Sequence, residues 1–152
     1  MEKIDVHMVI DDEFSHRITN FKQLTVDDFT IIKVIGRGSY GKVLLVKKND
    51  TSEILAMKIL KKKEMIVRNQ VVHIKNERKI MEIIDHPFII KLKYAFQNRH
   101  KLYLLTDFCP GGELFFHIQK IHRFNEEATK FYAAQIILAL ECLHQSDIIY
   151  RE

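Results

Sequence analysis

The amino-acid sequence predicts an α+β fold in which a five-stranded antiparallel sheet carries one helix and a helical region follows. Three observations predict it: short β-branched runs separated by turn residues up to Asp107, one helical pattern between the third and fourth runs, and a long apolar helical segment after Asn125. We divide the chain into a lead-in segment at residues 1–25, a sheet domain at 26–107 and a helical region at 108–152. With 152 residues, 47% of them hydrophobic, it is long enough to bury a core.

Charge and cysteine content exclude several classes of function. The formal net charge of +4 comes from interspersed positive and negative residues without a basic stripe, so we expect no nucleic-acid partner. The densest basic run, residues 61–63, is typical of a solvated turn or a helix start. Cys109 and Cys142 lie far apart without metal-ligand spacing, which indicates neither a disulfide nor a zinc site. No apolar run has the length of a membrane span, and we expect a cytoplasmic protein.

The predicted strands are short and rich in aliphatic or β-branched residues. Glycines at 36–41, polar residues at 49–52 and polar residues at 98–100 supply the turns between consecutive strands, which favours hairpins. The predicted strands cover residues 29–35, 43–48, 54–60, 91–97 and 102–107.

The predicted helix between the third and fourth strands carries one carboxylate on its apolar stripe. Val71, Ile74 and Met81 recur at helical spacings until Pro87 stops the pattern. Glu77 lies three residues after Ile74 and four before Met81, so its side chain points where a carboxylate is costly unless it meets a cation. The pattern therefore predicts a cationic partner for Glu77.

A second and longer helix is predicted from Asn125 to about Gln145. Asn125 is a good N-cap, and Glu126 and Glu127 lie in the first turn, where the helix dipole favours negative charge. The middle of this helix, residues 131–143, is apolar nearly all round, which is typical of a helix at the centre of a domain. Since the chain supplies little to bury it, we expect a further, mainly helical lobe that is absent from this sequence.

A G-x-G-x-x-G motif lies between the first two predicted strands and permits three interpretations. A dinucleotide-binding unit would need a helix after Gly41 and an acidic residue about 20 positions on, but a strand follows and residues 60–62 are Leu-Lys-Lys. A Walker A loop would need Ser or Thr after Lys42, but position 43 is Val. The remaining interpretation is a glycine-rich hairpin whose backbone N–H groups close over a polyphosphate.

Lys58 is the cation that this interpretation requires. It lies in the middle of the otherwise apolar third strand, where it needs an anion, and Glu77 is the carboxylate that needs a cation. Alone, Lys58 is better explained by a strand lysine whose side chain reaches solvent. Together with the glycine hairpin, the two residues predict a site in which Glu77 holds Lys58 against the α- and β-phosphates of a nucleotide.

Four further motifs extend this pattern, and with them the chain resembles the protein kinase superfamily, in the AGC group that contains protein kinases A, B and C. They are His86-Pro87-Phe88-Ile89, the segment Gly111 to Leu114, the segment Phe131 to Ile136, and Asp147 to Arg151. The resemblance covers residues 24 to 152. It implies a protein-kinase-like fold, with an N-lobe that includes the regulatory helix and an incomplete helical C-lobe. It also implies transfer of a phosphoryl group from MgATP to Ser or Thr of protein substrates.

The resemblance also implies the roles of individual residues around ATP. The glycine loop would cover the phosphates, Ile35, Val43 and Ala56 would sandwich the adenine, and Leu105 would line the back of its pocket. Thr106 matches the position that guards the space behind adenine, Asp107 and Cys109 would offer hinge backbone groups, and Glu113 would meet the ribose. The loop residues are Gly36, Arg37, Gly38, Ser39, Tyr40 and Gly41.

Two regulatory features of the group have counterparts here. A groove beside the regulatory helix would accept an aromatic hydrophobic-motif peptide, although each residue assigned to it is explained equally well by ordinary packing. Met81, Leu92 and Tyr150 match an apolar regulatory spine and are also compatible with plain core positions. The residues assigned to the groove are Lys62, Met65, Ile66, Val71, Ile74 and Leu102.

The sequence departs from the family pattern at the catalytic loop. Glu152 follows Tyr150-Arg151 where the family has an aspartate that orients the substrate hydroxyl, and one extra methylene misplaces a carboxylate enough to cost on the order of a hundredfold in rate. We assign no metal ligand in this sequence, and the family's Mg²⁺ ligands lie in the absent part. We therefore expect this chain alone to be inactive. A nucleotide-binding pseudokinase or regulatory module, and a product that does not fold stably, stay open as alternatives.

Overall fold

The computed structural model describes residues 24–38 and 41–150. The chain divides into two compact units, which we call the sheet unit (Met1–Ile80 with Leu92–Phe108) and the helical unit (Met81–Lys91 with Cys109–Glu152). Nearly all of the predicted lead-in segment, and the residues Ser39, Tyr40, Arg151 and Glu152, lie outside the described residues.

The sheet unit contains the predicted five strands. A short 3₁₀ helix, Val26–Asp28, precedes them. The strands lie in the order β1-β2-β3-β5-β4, and every neighbouring pair is antiparallel, as predicted. β1 and β2 extend further into the glycine segment than predicted, because their pairing continues to Gly38 and Gly41. The strand bounds are β1 Phe29–Gly38, β2 Gly41–Lys48, β3 Ile54–Lys61, β4 Leu92–Gln97 and β5 Lys101–Asp107.

Hydrogen bonds fix the two described hairpin turns, through the backbone in the first and through a side chain in the second. In the turn between β2 and β3, Ser52 adopts a φ of 61° and its N–H donates to the carbonyl of Lys48 at 2.9 Å. In the turn between β4 and β5, Asn98 Oδ1 accepts the N–H groups of His100 at 2.9 Å and of Lys101 at 2.8 Å. An asparagine that accepts backbone N–H groups two and three residues on mimics a backbone turn, which is why the polar residues predicted both positions.

The hydrophobic core of the sheet unit lies on one face of the sheet. Because side chains alternate along a strand, Leu44 on β2, Met57 on β3 and Leu105 on β5, which are paired across the ladder, point to the same side. Phe29, Phe96 and Tyr103 stack there, with ring centroids 5.8 and 4.7 Å apart. The buried members of this core cluster are Phe29, Leu44, Val46, Leu55, Met57, Ile59, Tyr103 and Leu105.

The opposite face of the sheet carries Lys58 and small residues together with buried leucines such as Leu104. Val43 pairs with Lys58, and Ala56 pairs with both Leu45 and Thr106. These residues alternate with the members of the core cluster, so their side chains point away from it. We call this side the site face of the sheet.

Two helices connect β3 to β4, where the sequence predicted one. Helix α1 spans Lys62–Val67 and helix α2 spans Val71–Ile83, and α2 ends before Asp85-His86-Pro87 as predicted. The prediction of a single helix is wrong because α1 is only six residues long and Asn69, at a φ of 53°, separates it from α2. Lys62 is buried with 2% of its surface exposed, so the basic run is a helix start but not a fully solvated one.

The helical unit contains α3 (Leu114–Ile121) and α4 (Glu126–Gln145). Asn125 caps α4 as predicted, and its side chain accepts the N–H of Ala128 at 2.8 Å. Much of the apolar surface of α4 is open: Phe131 is 62% exposed and Ile137 is 63% exposed. Leu143 is its only buried residue. Among the described residues, no helix combines the length and apolar character that crossing a membrane requires.

Candidate phosphate-binding site

The structure forms the predicted ion pair between β3 and α2. Lys58 Nζ donates to Glu77 Oε1 at 2.6 Å, across 19 residues of sequence. Antiparallel pairing places Lys58 between Val43 of β2 and Leu104 of β5. Ile74, one helical turn before Glu77, is 5% exposed, and its burial directs this side of α2 inward. The ammonium group is thus held in one position by the sheet and by the helix.

The expectation that both charged groups are buried is wrong. The side chain of Lys58 is 40% exposed and that of Glu77 is 42% exposed. Lys58 lies on the site face of the sheet, outside the core cluster. A half-exposed ion pair contributes little to stability, so the close contact is better explained by a role in binding.

The glycine segment forms the predicted hairpin beside Lys58. Gly36 pairs with Val43, and Gly38 pairs with Gly41. A Cβ atom on Gly41 would lie 1.8 Å from the carbonyl oxygen of Ile59, so β2 can approach β3 this closely only with glycine there. A Cβ on Gly38 would meet nothing within 4 Å, which leaves its backbone accessible from outside.

A small open pocket of about 70 Å³ lies where the hairpin meets β3. Its walls are apolar, formed by the glycines and by aliphatic parts of the neighbouring side chains, and the ion pair of Lys58 lies at the same position of β3. The residues that line it are Gly38, Gly41, Lys42, Val43, Lys58 and Leu60.

Three residues assigned to the adenine pocket occupy one face of the sheet. The pairing of Val43 with Lys58, and of Ala56 with Thr106, places all of them on the site face. Ile35 is the extra residue of a β-bulge in β1, between the paired positions Val34 and Gly36, and is 38% exposed. These positions are compatible with the sandwich that the resemblance implies.

The assignment of Leu105 to the pocket lining is wrong. Leu105 is fully buried and belongs to the core cluster, opposite Met57. Neighbouring residues of a strand point to opposite sides, so only one of Leu105 and Thr106 can face Ala56, and the register selects Thr106. The strand run at 102–107 is apolar at nearly every position, so period-two alternation could not distinguish the two faces.

The remaining predicted site residues lie beyond the sheet or outside the description. Asp107 ends β5 in the sheet unit. In the helical unit, the carbonyl of Cys109 accepts the N–H of Gly112 at 3.4 Å, and exposed Glu113 precedes α3. Arg37 is exposed on β1, opposite Lys42. Ser39, Tyr40 and Glu152 lie outside the described residues, so their roles stay predictions.

The residues assigned to a hydrophobic-motif groove are mostly buried. Lys62, Met65, Ile74 and Leu102 are each 5% exposed or less. Ile66 and Val71 are partly buried. The groove therefore stays a prediction.

The regulatory spine also stays a prediction. Of its assigned residues, Met81 and Leu92 are partly buried, and Tyr150 is exposed.

Sequence reasoning missed an ion-pair cluster at the end of β5. Lys93 Nζ lies 3.4 Å from Glu53 Oε1 and 3.3 Å from Asp107 Oδ1. The acidic ends of β3 and β5 were a signal for a cation between them, but simple alternation along β4 does not identify Lys93 as that cation. Within the described part of the chain, no group of three or more His, Cys, Asp or Glu residues could hold a metal ion.

The family model described as "Protein kinase domain" matches residues 29–152. The chain therefore belongs to the protein kinase family, and the antiparallel sheet followed by helices confirms the predicted kinase-like fold, with an N-lobe and part of a C-lobe.

Curated relatives confirm the resemblance to AGC-type serine/threonine kinases. The chain is 51% identical over 133 residues to "Protein kinase 2" of Dictyostelium discoideum. This match covers 88% of this chain and 28% of that protein. It is 47% identical over 131 residues to the "RAC family serine/threonine-protein kinase homolog" of the same organism, covering 86% and 30%. To "Serine/threonine-protein kinase YPK1" of Saccharomyces cerevisiae it is 44% identical over 131 residues, covering 86% and 19%. The chain thus spans less than a third of the length of these relatives.

Proposed function

We propose that the sheet unit binds the polyphosphate and adenine of MgATP, as the nucleotide-binding part of a kinase that phosphorylates Ser or Thr of protein substrates. The observation that carries this proposal is the 2.6 Å contact between Lys58 and Glu77, directly beside the glycine hairpin. The names of the serine/threonine kinase relatives support the reaction class.

Lys58 would neutralise the nonbridging oxygens of the α- and β-phosphates. Glu77 accepts one ammonium proton and leaves the other two for phosphate oxygens. Because the pair is 40% and 42% exposed, the ammonium is accessible to a ligand, and the carboxylate keeps it from turning to bulk solvent. In phosphoryl transfer such fixed charges act by positioning the nucleotide and by stabilising the charge of the transition state.

The glycine hairpin would close over the phosphates from the other side. Gly38 has open space where a side chain would be, so an oxygen could approach its backbone N–H. Val43 and Ala56 present small apolar surfaces on the same face as Lys58, which suits the flat face of a purine. The arrangement orders the parts of ATP along the sheet, with the base over Ala56 and the phosphates over Lys58.

Bound magnesium would supply the additional charge neutralisation that phosphoryl transfer needs. The described residues do not fit a protein cage for it, since they contain no acidic cluster. We therefore assign to this part of the chain the binding and orientation of the nucleotide and no step that passes through the metal.

The proposal predicts that ATP stabilises the chain and that Glu77→Gln weakens this effect. At a hundredfold excess over its dissociation constant, a ligand that binds only the folded state raises stability by about 2.7 kcal/mol, which a thermal melt detects. Glu77→Gln preserves the shape of the side chain but removes the negative charge that orients Lys58. We expect the ATP concentration needed for a given melting shift to rise about tenfold, the effect of losing one charge-assisted hydrogen bond.

The matched control for this melt is Glu64→Gln, which removes a carboxylate on α1 whose ion pair with Arg68 spans 4.0 Å. It should leave the ATP response unchanged. A wild-type melting temperature that does not respond to MgATP would contradict the proposed function, and equal responses of wild type and Glu77→Gln would contradict the role of Glu77.

A further inference from the structure

Lys93 bridges two carboxylates that come from different strands. Its Nζ lies 3.3 Å from Asp107 Oδ1, at the end of β5, and 3.4 Å from Glu53 Oε1, just before β3. The side chains are partly exposed, at 38% for Lys93, 30% for Glu53 and 54% for Asp107. The ammonium group therefore links the last residue of β5 to the end of the connection between β2 and β3.

A β-bulge in β4 aims Lys93 at these carboxylates. Leu92 pairs with Thr106 and Tyr94 pairs with Leu105, so Lys93 is an extra residue without a partner in the ladder. Bulges re-aim a side chain and recur next to binding sites. Because Leu105 and Asp107 alternate with Thr106, the bulge directs Lys93 to the side of the sheet opposite the site face, where the carboxylate of Asp107 also lies.

The other end of the bridge is attached to the hydrophobic core. Glu53 Oε2 accepts the hydroxyl of Tyr94 at 3.3 Å, and the ring of Tyr94 packs edge-on against buried Phe29, with centroids 6.3 Å apart. The pKa of Lys93 is raised above its usual value, first by the hydrogen bond to Asp107 and the negative charge of that residue. The hydrogen bond to Glu53 and the charge of Glu53 raise it further. The contacts thus run from the core through Glu53 and Lys93 to Asp107.

Asp107 has a second constraint on its backbone. The hydroxyl of Thr106 lies within weak hydrogen-bonding distance of the carbonyl of Asp107, at 3.4 Å. The kinase resemblance assigns the backbone of Asp107 to the polar edge of adenine, where its carbonyl would accept a hydrogen bond from the 6-amino group. Guanine has a 6-oxo oxygen in place of the amino group, so its oxygen and the carbonyl oxygen of Asp107 would face each other as two acceptors without a proton between them. The placement of this carbonyl therefore decides which purine binds.

We propose that Lys93 is a positioning residue that fixes the end of β5 through the carboxylate of Asp107 and thereby sets the preference for adenine over guanine nucleotides. The inference rests on the proposed function, because it requires ATP to bind on the site face. Without Lys93, the carboxylates of Glu53 and Asp107 face each other without a cation, and their repulsion moves the end of β5. The side chain of Lys93 itself does not touch the nucleotide.

The test is to measure the dissociation constants of ATP and GTP for the chain, by calorimetry, in wild type and in Lys93→Met. We expect wild type to prefer ATP, so that its dissociation constant for GTP exceeds that for ATP. In Lys93→Met the ratio of these two constants should fall about three- to tenfold, the range for one misplaced hydrogen bond. Asp107→Asn keeps the backbone carbonyl but weakens the bridge, and it should narrow the ratio in the same way. Lys93→Arg keeps the charge and should restore the wild-type ratio.

The matched control is Lys91→Met, which removes a nearby ammonium whose partner is Asp85 at 3.0 Å and should leave the ratio unchanged. A loss of stability alone would weaken both nucleotides equally, so the ratio separates positioning from folding. ATP binding by wild type with an unchanged ratio in Lys93→Met and Asp107→Asn would overturn this inference alone. Failure of wild type to bind ATP would overturn the proposed function and this inference with it.

Discussion

Replacing Lys58 with methionine should weaken ATP binding about ten- to a hundredfold while leaving adenosine binding within about twofold of wild type. Methionine keeps most of the length and apolar surface of lysine but cannot donate charged hydrogen bonds, each of which is worth about 1.5–3 kcal/mol. Lys58 lines the pocket beside the glycine hairpin, whereas Ala56, two residues earlier, would meet the base. The loss should therefore depend on the phosphates, and competition titrations with ATP, ADP and adenosine measure it.

The matched control for this titration is Lys61→Met, which removes an exposed lysine three residues further along β3. It should bind all three ligands as wild type does. An equal loss for ATP and adenosine in Lys58→Met would contradict the phosphate-binding role, since it would indicate general damage to the sheet.

Gly41→Ala should destabilise the chain by about 3 kcal/mol, at the upper end of the cost of inserting a methyl group into a packed site. The added Cβ would lie 1.8 Å from the carbonyl oxygen of Ile59 and 2.9 Å from its carbonyl carbon. Both are backbone atoms of β3, which is paired on its other side with β5, so neither can move without breaking the ladder. Chemical denaturation followed by circular dichroism measures the change in the free energy of unfolding.

Gly38→Ala provides the comparison, because the same methyl group there meets nothing within 4 Å. Its free energy of unfolding should stay within about 0.5 kcal/mol of wild type, as for an ordinary surface substitution. If Gly38→Ala and Gly41→Ala destabilised the chain equally, the steric explanation would be wrong, because the lower entropy of the unfolded chain favours the folded state in both variants.

The sequence predicted the sheet because turn residues such as Asn98 separate the strands of each hairpin, and because the strands are rich in aliphatic or β-branched residues. It predicted the pair of Lys58 and Glu77 because each was a charge without a partner on an apolar element, and the two needs could be met together. Asn125 was predicted as an N-cap for a similarly local reason. These features depend on short-range chemistry, which the order of residues contains directly.

Other features depend on registers and faces that no local pattern fixes. The residues before Thr106 in this run do not alternate between polar and apolar, so only the pairing with β3 assigns Leu105 to the core cluster and Thr106 to the site face. The bulge that re-aims Lys93 is an irregularity of the ladder between β4 and β5 and breaks the alternation from which a face is predicted.

The most direct test of the central claim is a titration of the isotope-labelled chain with MgATP. The backbone amide signals in nuclear magnetic resonance spectra report the binding. We predict the largest chemical-shift changes at Gly36, Gly38, Gly41 and Lys58, with little change in the turn at residues 49–52, which joins the far ends of β2 and β3. Shifts centred on that turn, or on α4, with none in the glycine hairpin would contradict the claim that the site face binds the nucleotide.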